Sequence, residues 1–587
     1  MYDILYTSSY FTNFLTSMLF LFLIACSSSL ISSKLEKNNI KLFAEFKPFI
    51  IFFLFFVFFS FAFNFLLIFD KFNYFRSFFY IVIFFLVLLI ILNKNYFKTF
   101  LNTYQSKKFN LNEKLILSVL FIFYLIAILP ISDADSLSSH QYFASYAFLN
   151  GLSDLNINRL VEFTSFANSE ILLIFSPILK SDNFGAQLNL ISLLILFILN
   201  LKKNNSLFLF LVSCPLIIFF ISTQKLQLFF SILFLVLFIA VHKKMVKSKL
   251  EIFIFLLLLS FYSSGKLSYI LISGPLFIYF LFRQKKDYKF IFINSLICFL
   301  LTLLPIFLIK YNYFGNPVAP FFDDIFNKGR PIMESFALSL RSSEGWLLNS
   351  GDLKIYIKPF IPTSLGSLSS SLGILFFFLL FNFSLLRKLN YYPIIIILLI
   401  IFTGQILPRY YFEAFLILAF FYELKNYRLV KFLIYSQASL ILIFSLSFIF
   451  ISYYSEKVFF DKEKYMNRFS YSFFNSKEYD KLNISKNILV TSQDRTSLFI
   501  KDNIYAKRLI NNMNLLNNNK LKNLINYINN NSIEYIISNS IEDLPKCLSV
   551  NKVDEIYTKK SIRNFLVKGN TKNKKKVFKI IKNECNA

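Results

Sequence analysis

Charge and histidine are both scarce in this sequence. Of 587 residues, 16% are charged and two are His, against about a quarter charged in an ordinary soluble chain. Two His cannot build a His-rich metal site. There is no G-x-x-x-x-G-K-[ST] phosphate loop, no G-x-G-x-x-G, no C-x-x-C and no H-E-x-x-H, which argues against ATP-driven transport within the chain. Cysteine is sparse as well. Of the five, Cys26, Cys214 and Cys298 lie in apolar blocks and read as packing residues.

What the chain has instead is apolar sequence. It is 56% hydrophobic, with 81 Phe, and the apolar residues form nearly unbroken blocks rather than amphipathic stripes. About twenty such residues cross about 30 Å of hydrocarbon as a helix. Backbone groups cannot stay unpaired in lipid, so these blocks must be helical. The formal charge of +29 invites a nucleic-acid reading. The basic residues, however, sit mostly in short loops between apolar blocks and in the C-terminal tail. That is the distribution of topology signals, and no nucleic-acid partner is expected.

The fold expected is mainly α: a polytopic membrane bundle of about 14 transmembrane helices with a small C-terminal α/β domain outside the membrane. The spans are 11–32, 48–69, 78–93, 115–132, 184–201, 205–222, 226–242, 249–263, 267–283, 289–309, 366–386, 391–407, 410–424 and 431–453. No Lys or Arg precedes the first, so it reads as a retained helix with its N-terminus outside. Alternate loops, from Lys34 to Lys47 onward to Lys425 to Lys431, hold about 24 basic residues and are placed in the cytoplasm. The short loops of the other set hold only Lys71, Arg76, Lys225, Lys266 and Arg409.

Three long segments then fall outside: 133–183, 310–365 and the tail 454–587, which follows the transmembrane region 1–453. In the tail, NILVTS (487–492) and IEYIISNS (533–540) read as strands and LKNLINYI (521–528) as a helix. Cys547 and Cys585 both lie there, in an oxidising compartment on this topology, and a disulfide between them is expected.

The sharpest chemical feature is Asp133-Ala134-Asp135-Ser136-Leu137, just after Pro130 ends the fourth span. Two carboxylates two residues apart face the same side of an extended segment. They can accept a proton from a hydroxyl or bind a divalent metal, and His140 can join either task. The plainer alternative is that Asp135 or Ser136 caps the following helix, which explains one acid but not both.

Other polar residues belong to the same face. They are Gln224 and Lys225; Lys266 and Tyr269; Lys310 and Tyr311; and Arg409 and Tyr410, with Glu413 one turn further into the membrane. Convergent cations at that depth suit a lipid-linked phosphate, whereas isolated ones would only snorkel to headgroups. Gly315-Asn316-Pro317 specifies a turn, and Asn316 can also bind a sugar hydroxyl. Residues 332–340 read as a surface-lying helix near Trp346.

With these residues in view, the sequence resembles the GT-C superfamily of membrane glycosyltransferases, which includes protein mannosyltransferases and the lipid A aminoarabinose transferase. The likeness rests on the acids Asp133 and Asp135 in a first large outer loop, the turn from Gly315 to Phe321, and a C-terminal domain on the acids' side. D-A-D-S-L-x-x-H and Gly404 to Arg409 further resemble bacterial members of the group. The chain departs from them in placing the acids after the fourth span rather than the first.

The resemblance implies a polyprenyl-phosphate sugar donor and a lipid or glycan acceptor in a bacterial inner (plasma) membrane; the loop charges place both termini on the non-cytoplasmic side. It implies Asp133 or Asp135 as base or metal ligand, and Lys266, Lys310 and Arg409 on the donor phosphate. The competing readings are an O-antigen polymerase or ligase, a lipid-linked glycan transporter or flippase, and a non-catalytic relative. Non-reducing mass spectrometry should show Cys547 and Cys585 joined; two free thiols there would contradict the oxidising placement of the tail.

Overall fold

Segments that lack water must pair their own backbone groups, and most of the apolar blocks do so as helices. In a computed structural model, the described residues run from Leu5 to Asn583. They exclude 94–110, 153–165, 201–205, 327–358, 362–370, 423–427, 491–508, 512–527 and a number of shorter stretches. The chain is mainly helical, with a five-stranded sheet near its C-terminus.

Among the described residues, five helices are long and apolar enough to cross a membrane: Tyr10–Lys37, Lys47–Ile68, Phe72–Leu92, Leu267–Gln284 and Arg428–Ser455. A sixth span forms if Tyr288–Thr302 and Leu304–Phe314, bent by 45° at their junction, count as one. Four more helices, Leu111–Ala127, Phe184–Asn200, Gln227–His242 and Lys249–Gly265, are 16 or 17 residues long, or about 25 Å.

The expected set of uninterrupted spans is corrected here. Pro has no N–H to continue a helical ladder. Residues 205–222 accordingly divide into Ser206–Val212 and Pro215–Ile221. In place of the span expected at 366–386, the described residues 371–388 hold two six-residue helices, Leu375–Leu380 and Phe383–Lys388, separated at Asn382, whose Oδ1 accepts the Leu385 N–H at 3.1 Å. Residues 391–407 and 410–424 hold the short helices Tyr392–Phe402 and Phe412–Phe421. The Gln227–His242 and Phe412–Phe421 helices are buried nearly throughout, whereas Phe75–Leu92 presents Tyr80, Ile81, Phe84, Phe85, Ile91 and Leu92 outward.

The loops sort to two ends of the bundle. At one end the basic loops meet. Glu251 accepts the backbone N–H of Phe43 at 3.0 Å, Gln284 donates to the Val246 carbonyl at 2.6 Å, and the Tyr279 hydroxyl meets His242 and Asn390. At the other end lie Asp133, Lys225, Lys266 and Arg409. There the fully buried Asp182 is bonded by Asn13 and faces Lys462 Nζ at 3.3 Å.

Lys462 and Tyr465 belong to the helix Lys462–Phe469, which packs Tyr465 and Met466 into the helical core. The next helix, Tyr471–Asp480, lays Tyr479 on the sheet. The strands are β1 (Asn487–Val490), β2 (Leu509–Asn511), β3 (Ile533–Ser538), β4 (Leu548–Lys559) and β5 (Lys572–Asn583). Their order is β2-β1-β3-β5-β4, with β1 parallel to β2 and β3 and the remaining pairs antiparallel. Alternation puts Ile488, Val490 and Ile537 on the Tyr479 face and Leu489 and Ile536 on the other.

Cys547 is disulfide-bonded, and Cys26, Cys214 and Cys298 are buried free thiols. Cys585 lies outside the described residues, as do residues 332–340 and Trp346. Burial makes a distinct expectation for the three thiols. A small membrane-permeant maleimide should modify them only after denaturation; rapid labelling of the folded protein would contradict their packing.

Candidate functional site

The site begins where the chain leaves the Leu111–Ala127 helix. Asp133 Oδ2 accepts both the backbone N–H and the hydroxyl of Ser136, at 3.0 and 2.9 Å. Asp133 therefore caps the next helical segment, which corrects the expectation that Asp135 or Ser136 does so. Such a cap is worth about 1 kcal/mol. Asp135 already has helical backbone (φ −63°, ψ −39°). The two acids are thus not a pair on one side of an extended strand. The segment continues as a π-helical turn, Ser136–His140, and then as the helix Gln141–Asn150.

Ser136 ties this turn to a second one. Its hydroxyl accepts the Gln224 N–H at 3.0 Å. Gln224 is fixed further by accepting the Gly185 N–H at 2.7 Å and donating to the Asp182 carbonyl. Asn189, on the Phe184–Asn200 helix, holds the rest of that turn. It donates to the carbonyls of Phe220 and Lys225 at 2.8 and 2.7 Å and accepts the Phe229 N–H at 3.1 Å. The outcome is the placement of Lys225 Nζ 2.9 Å from Asp135 Oδ2, with both side chains mostly buried.

The third and fourth turns bring two more cations. Lys266 follows the Lys249–Gly265 helix, and its Nζ lies 4.4 Å from the centre of the Tyr410 ring. Arg409 lies 5.2 Å from the same centre, and its Nη2 is 3.4 Å from the Tyr410 hydroxyl. Gln227 holds the Arg409 carbonyl. Among the described residues neither Lys266 nor Arg409 forms an ion pair with an acid, and Arg409 Nε is buried with no hydrogen-bond partner. Gly265, just before Lys266, packs on Phe230: a Cβ there would sit 2.5 Å from that ring.

The other expected residues divide. Glu413 does not accompany Arg409. Its Oε1 accepts the hydroxyls of Ser231 and Tyr262, at 2.8 and 3.1 Å, inside the bundle. Tyr269 is buried and stacks on Tyr262 at 4.7 Å. Lys310 is buried, donating to the Ala319 carbonyl at 2.6 Å and lying 5.1 Å from the Phe166 ring centre. Tyr311 points the other way and is 58% exposed, because adjacent helical residues do not share a face. It leaves the site. Asn316 Oδ1 accepts the Val318 N–H at 3.0 Å, which is a turn role. Pro320, Phe321 and residues 404–406 lie outside the described residues. Among the described residues, no three His, Cys, Asp or Glu side chains gather as a metal site.

The residue that sequence reasoning missed is Glu170. His140 Nδ1 lies 2.6 Å from Glu170 Oε1. Glu170 Oε2 accepts the Ala167 N–H and the Ser169 hydroxyl, each at 2.8 Å. Burial alone would raise the Glu170 carboxyl, but the His140 hydrogen bond and charge, with those two donors, outweigh it and hold it below its usual value. The available signal was an acid in the first turn of a short apolar helix, Asn168–Leu172.

In comparisons with known proteins, no family model, no curated protein and no solved structure matches the chain. The geometry alone therefore carries the functional reading.

The Lys225–Asp135 pair can be tested for its part in holding the turns. Lys225→Met removes the ammonium that faces a mostly buried carboxylate and should destabilise the protein by roughly 2–4 kcal/mol. Adding Asp135→Asn should restore much of that loss, read as thermal unfolding in detergent. Equal stability of the single variant and the parent would show that the pair does not hold the turns.

Proposed function

We propose that this chain is a membrane glycosyltransferase of the GT-C kind. In this reading it moves a sugar from a polyprenyl-phosphate donor to a lipid or glycan acceptor at the non-cytoplasmic side of a bacterial inner membrane. The observation that carries the proposal is the placement of Lys266 and Arg409 on one aromatic ring, with no acid paired to either among the described residues. Two such cations at the end of an apolar bundle repel each other until an anion sits between them. A phosphate carrying an apolar chain supplies that anion, and its tail can stay in the hydrocarbon. The buried, unpartnered Arg409 Nε adds a donor for it.

The remaining groups fit group transfer better than transport. The acids and His140 collect at the cation end rather than at mid-bundle, where transporters bind their substrates. Asp135 is neutralised by Lys225, and Glu170 holds His140. Lys310 donates to the Ala319 carbonyl and lies against the Phe166 ring, whereas Lys266 and Arg409 share the Tyr410 ring, so the phosphate role passes to Lys266 and Arg409. The full set of fourteen apolar segments, including the bent and interrupted ones, forms the membrane domain in this proposal. The basic loops face the cytoplasm.

Cells with and without the chain should differ in one envelope lipid or glycan by a single sugar per acceptor, read by mass spectrometry. A difference in polymer length would favour the polymerase reading. Vesicle accumulation of a lipid-linked glycan with no new covalent product would favour the flippase. Arg409→Ala should lower transfer roughly 100-fold or more while the protein remains in the membrane. Unchanged transfer would remove Arg409 from the mechanism.

A further inference from the structure

Glycosyl transfer to a hydroxyl needs a group to take the acceptor's proton, and neither acid of the D-A-D segment is placed for it. Asp133 Oδ2 already receives two hydrogen bonds from Ser136, and Asp135 faces the Lys225 ammonium. His140 is placed differently. Its Nδ1 meets Glu170 at 2.6 Å, its ring keeps 23% of its surface accessible, and its Nε2 has no hydrogen-bond partner among the described residues. Glu170 is itself over-determined, because the Ala167 N–H and Ser169 hydroxyl fix the oxygen that His140 does not use.

From this geometry we infer that His140 Nε2 takes the acceptor proton, and that Glu170 is the positioning residue that fixes the ring with Nδ1–H toward the carboxylate. The assignment rests on the transferase reading above. In the transfer step, the acceptor O–H gives its proton to Nε2 as the oxygen forms its bond to the anomeric carbon. The bond from that carbon to the phosphate oxygen breaks, and its electron pair leaves on the polyprenyl phosphate. Lys266 and Arg409 then hold the added charge, and Glu170 stabilises the imidazolium.

The charged surroundings keep the ring ready for this. Burial pushes the His140 pKa below its usual value. Glu170 opposes the shift, and Lys225 and Lys266 reinforce it. A neutral ring with Nδ1–H bonded to a carboxylate leaves the Nε2 lone pair available at neutral pH.

The chain has only two His, so a protein labelled with 15N-histidine in nanodiscs gives two rings, and His242→Asn assigns them. The expected result at pH 7 is a neutral His140 protonated on Nδ1. A ring protonated on Nε2, or a cationic ring, overturns the assignment whatever the activity. The kinetic arm uses whichever polyprenyl-phosphate sugar the wild-type protein turns over.

His140→Asn keeps an N–H donor toward Glu170 but has no base. It should lower kcat at least ~100-fold with the donor KM held. Glu170→Gln should weaken the base and move the acidic limb of kcat/KM to lower pH, and Glu170→Asp should recover part of the loss. An acidic limb that does not move overturns the positioning role. Turnover that survives His140→Asn overturns the base alone, whereas a wild type that turns over no such donor defeats the transferase reading and this assignment with it.

Discussion

Like charges brought together in an apolar setting have to be held there. Lys266 and Arg409 come from turns far apart in sequence and share the Tyr410 ring. Neither is paired with an acid among the described residues, so no opposite charge there offsets their mutual repulsion. The attraction of each for the ring face returns about 0.5–2 kcal/mol. An anion between the cations converts the repulsion into attraction. The rest of the bundle end can be understood as what fixes that geometry.

Fixing it falls to polar side chains inside an otherwise apolar body. Asn189 pins both sides of the turn that carries Lys225, Gln227 pins the Arg409 carbonyl, and Ser136 joins the D-A-D segment to Gln224. Deeper in, Asn64 donates to Asn168 at 2.7 Å, and Asn168 donates to Ser264 at 2.6 Å, linking three helices next to Glu170. Interhelical hydrogen bonds of this kind are worth about 1 kcal/mol each in membranes. Their greater effect is on register, because sliding a helix by one turn would leave several buried amides unpaired at once. Asp182, bonded by Asn13 and facing Lys462, extends the same device to the helix that leads into the sheet.

Much of this was legible in the sequence, for a physical reason. Apolar blocks must be helices, and basic loops alternate with nearly charge-free ones, so the gathering of Asp135, Lys225, Lys266 and Arg409 at one end followed from counting Lys and Arg between blocks. The strands β1 and β3 were legible because NILV and IEYIIS are short and apolar. β4 and β5 were not, because KNKKKVFKIIKN carries more lysine than apolar residues, and its pairing is set by neighbouring strands rather than by its own pattern.

Helix breaks were hidden where hydropathy stays high across them, as at Asn382 and before Pro215. The role of Asp133 was misread because two acids suggest a shared task, whereas a side chain three residues ahead of a free N–H caps it. Glu170 was passed over because its partner, His140, lies thirty residues away with no local signature.

The most direct measurement is cryo-electron microscopy of the full chain in lipid nanodiscs with polyprenyl phosphate added. Phosphate density is expected within hydrogen-bonding reach of both Lys266 Nζ and the Arg409 guanidinium, at the end of the bundle that holds Asp135 and Lys225. Phosphate bound elsewhere, or Lys266 and Arg409 found at opposite ends of the helices, would contradict it.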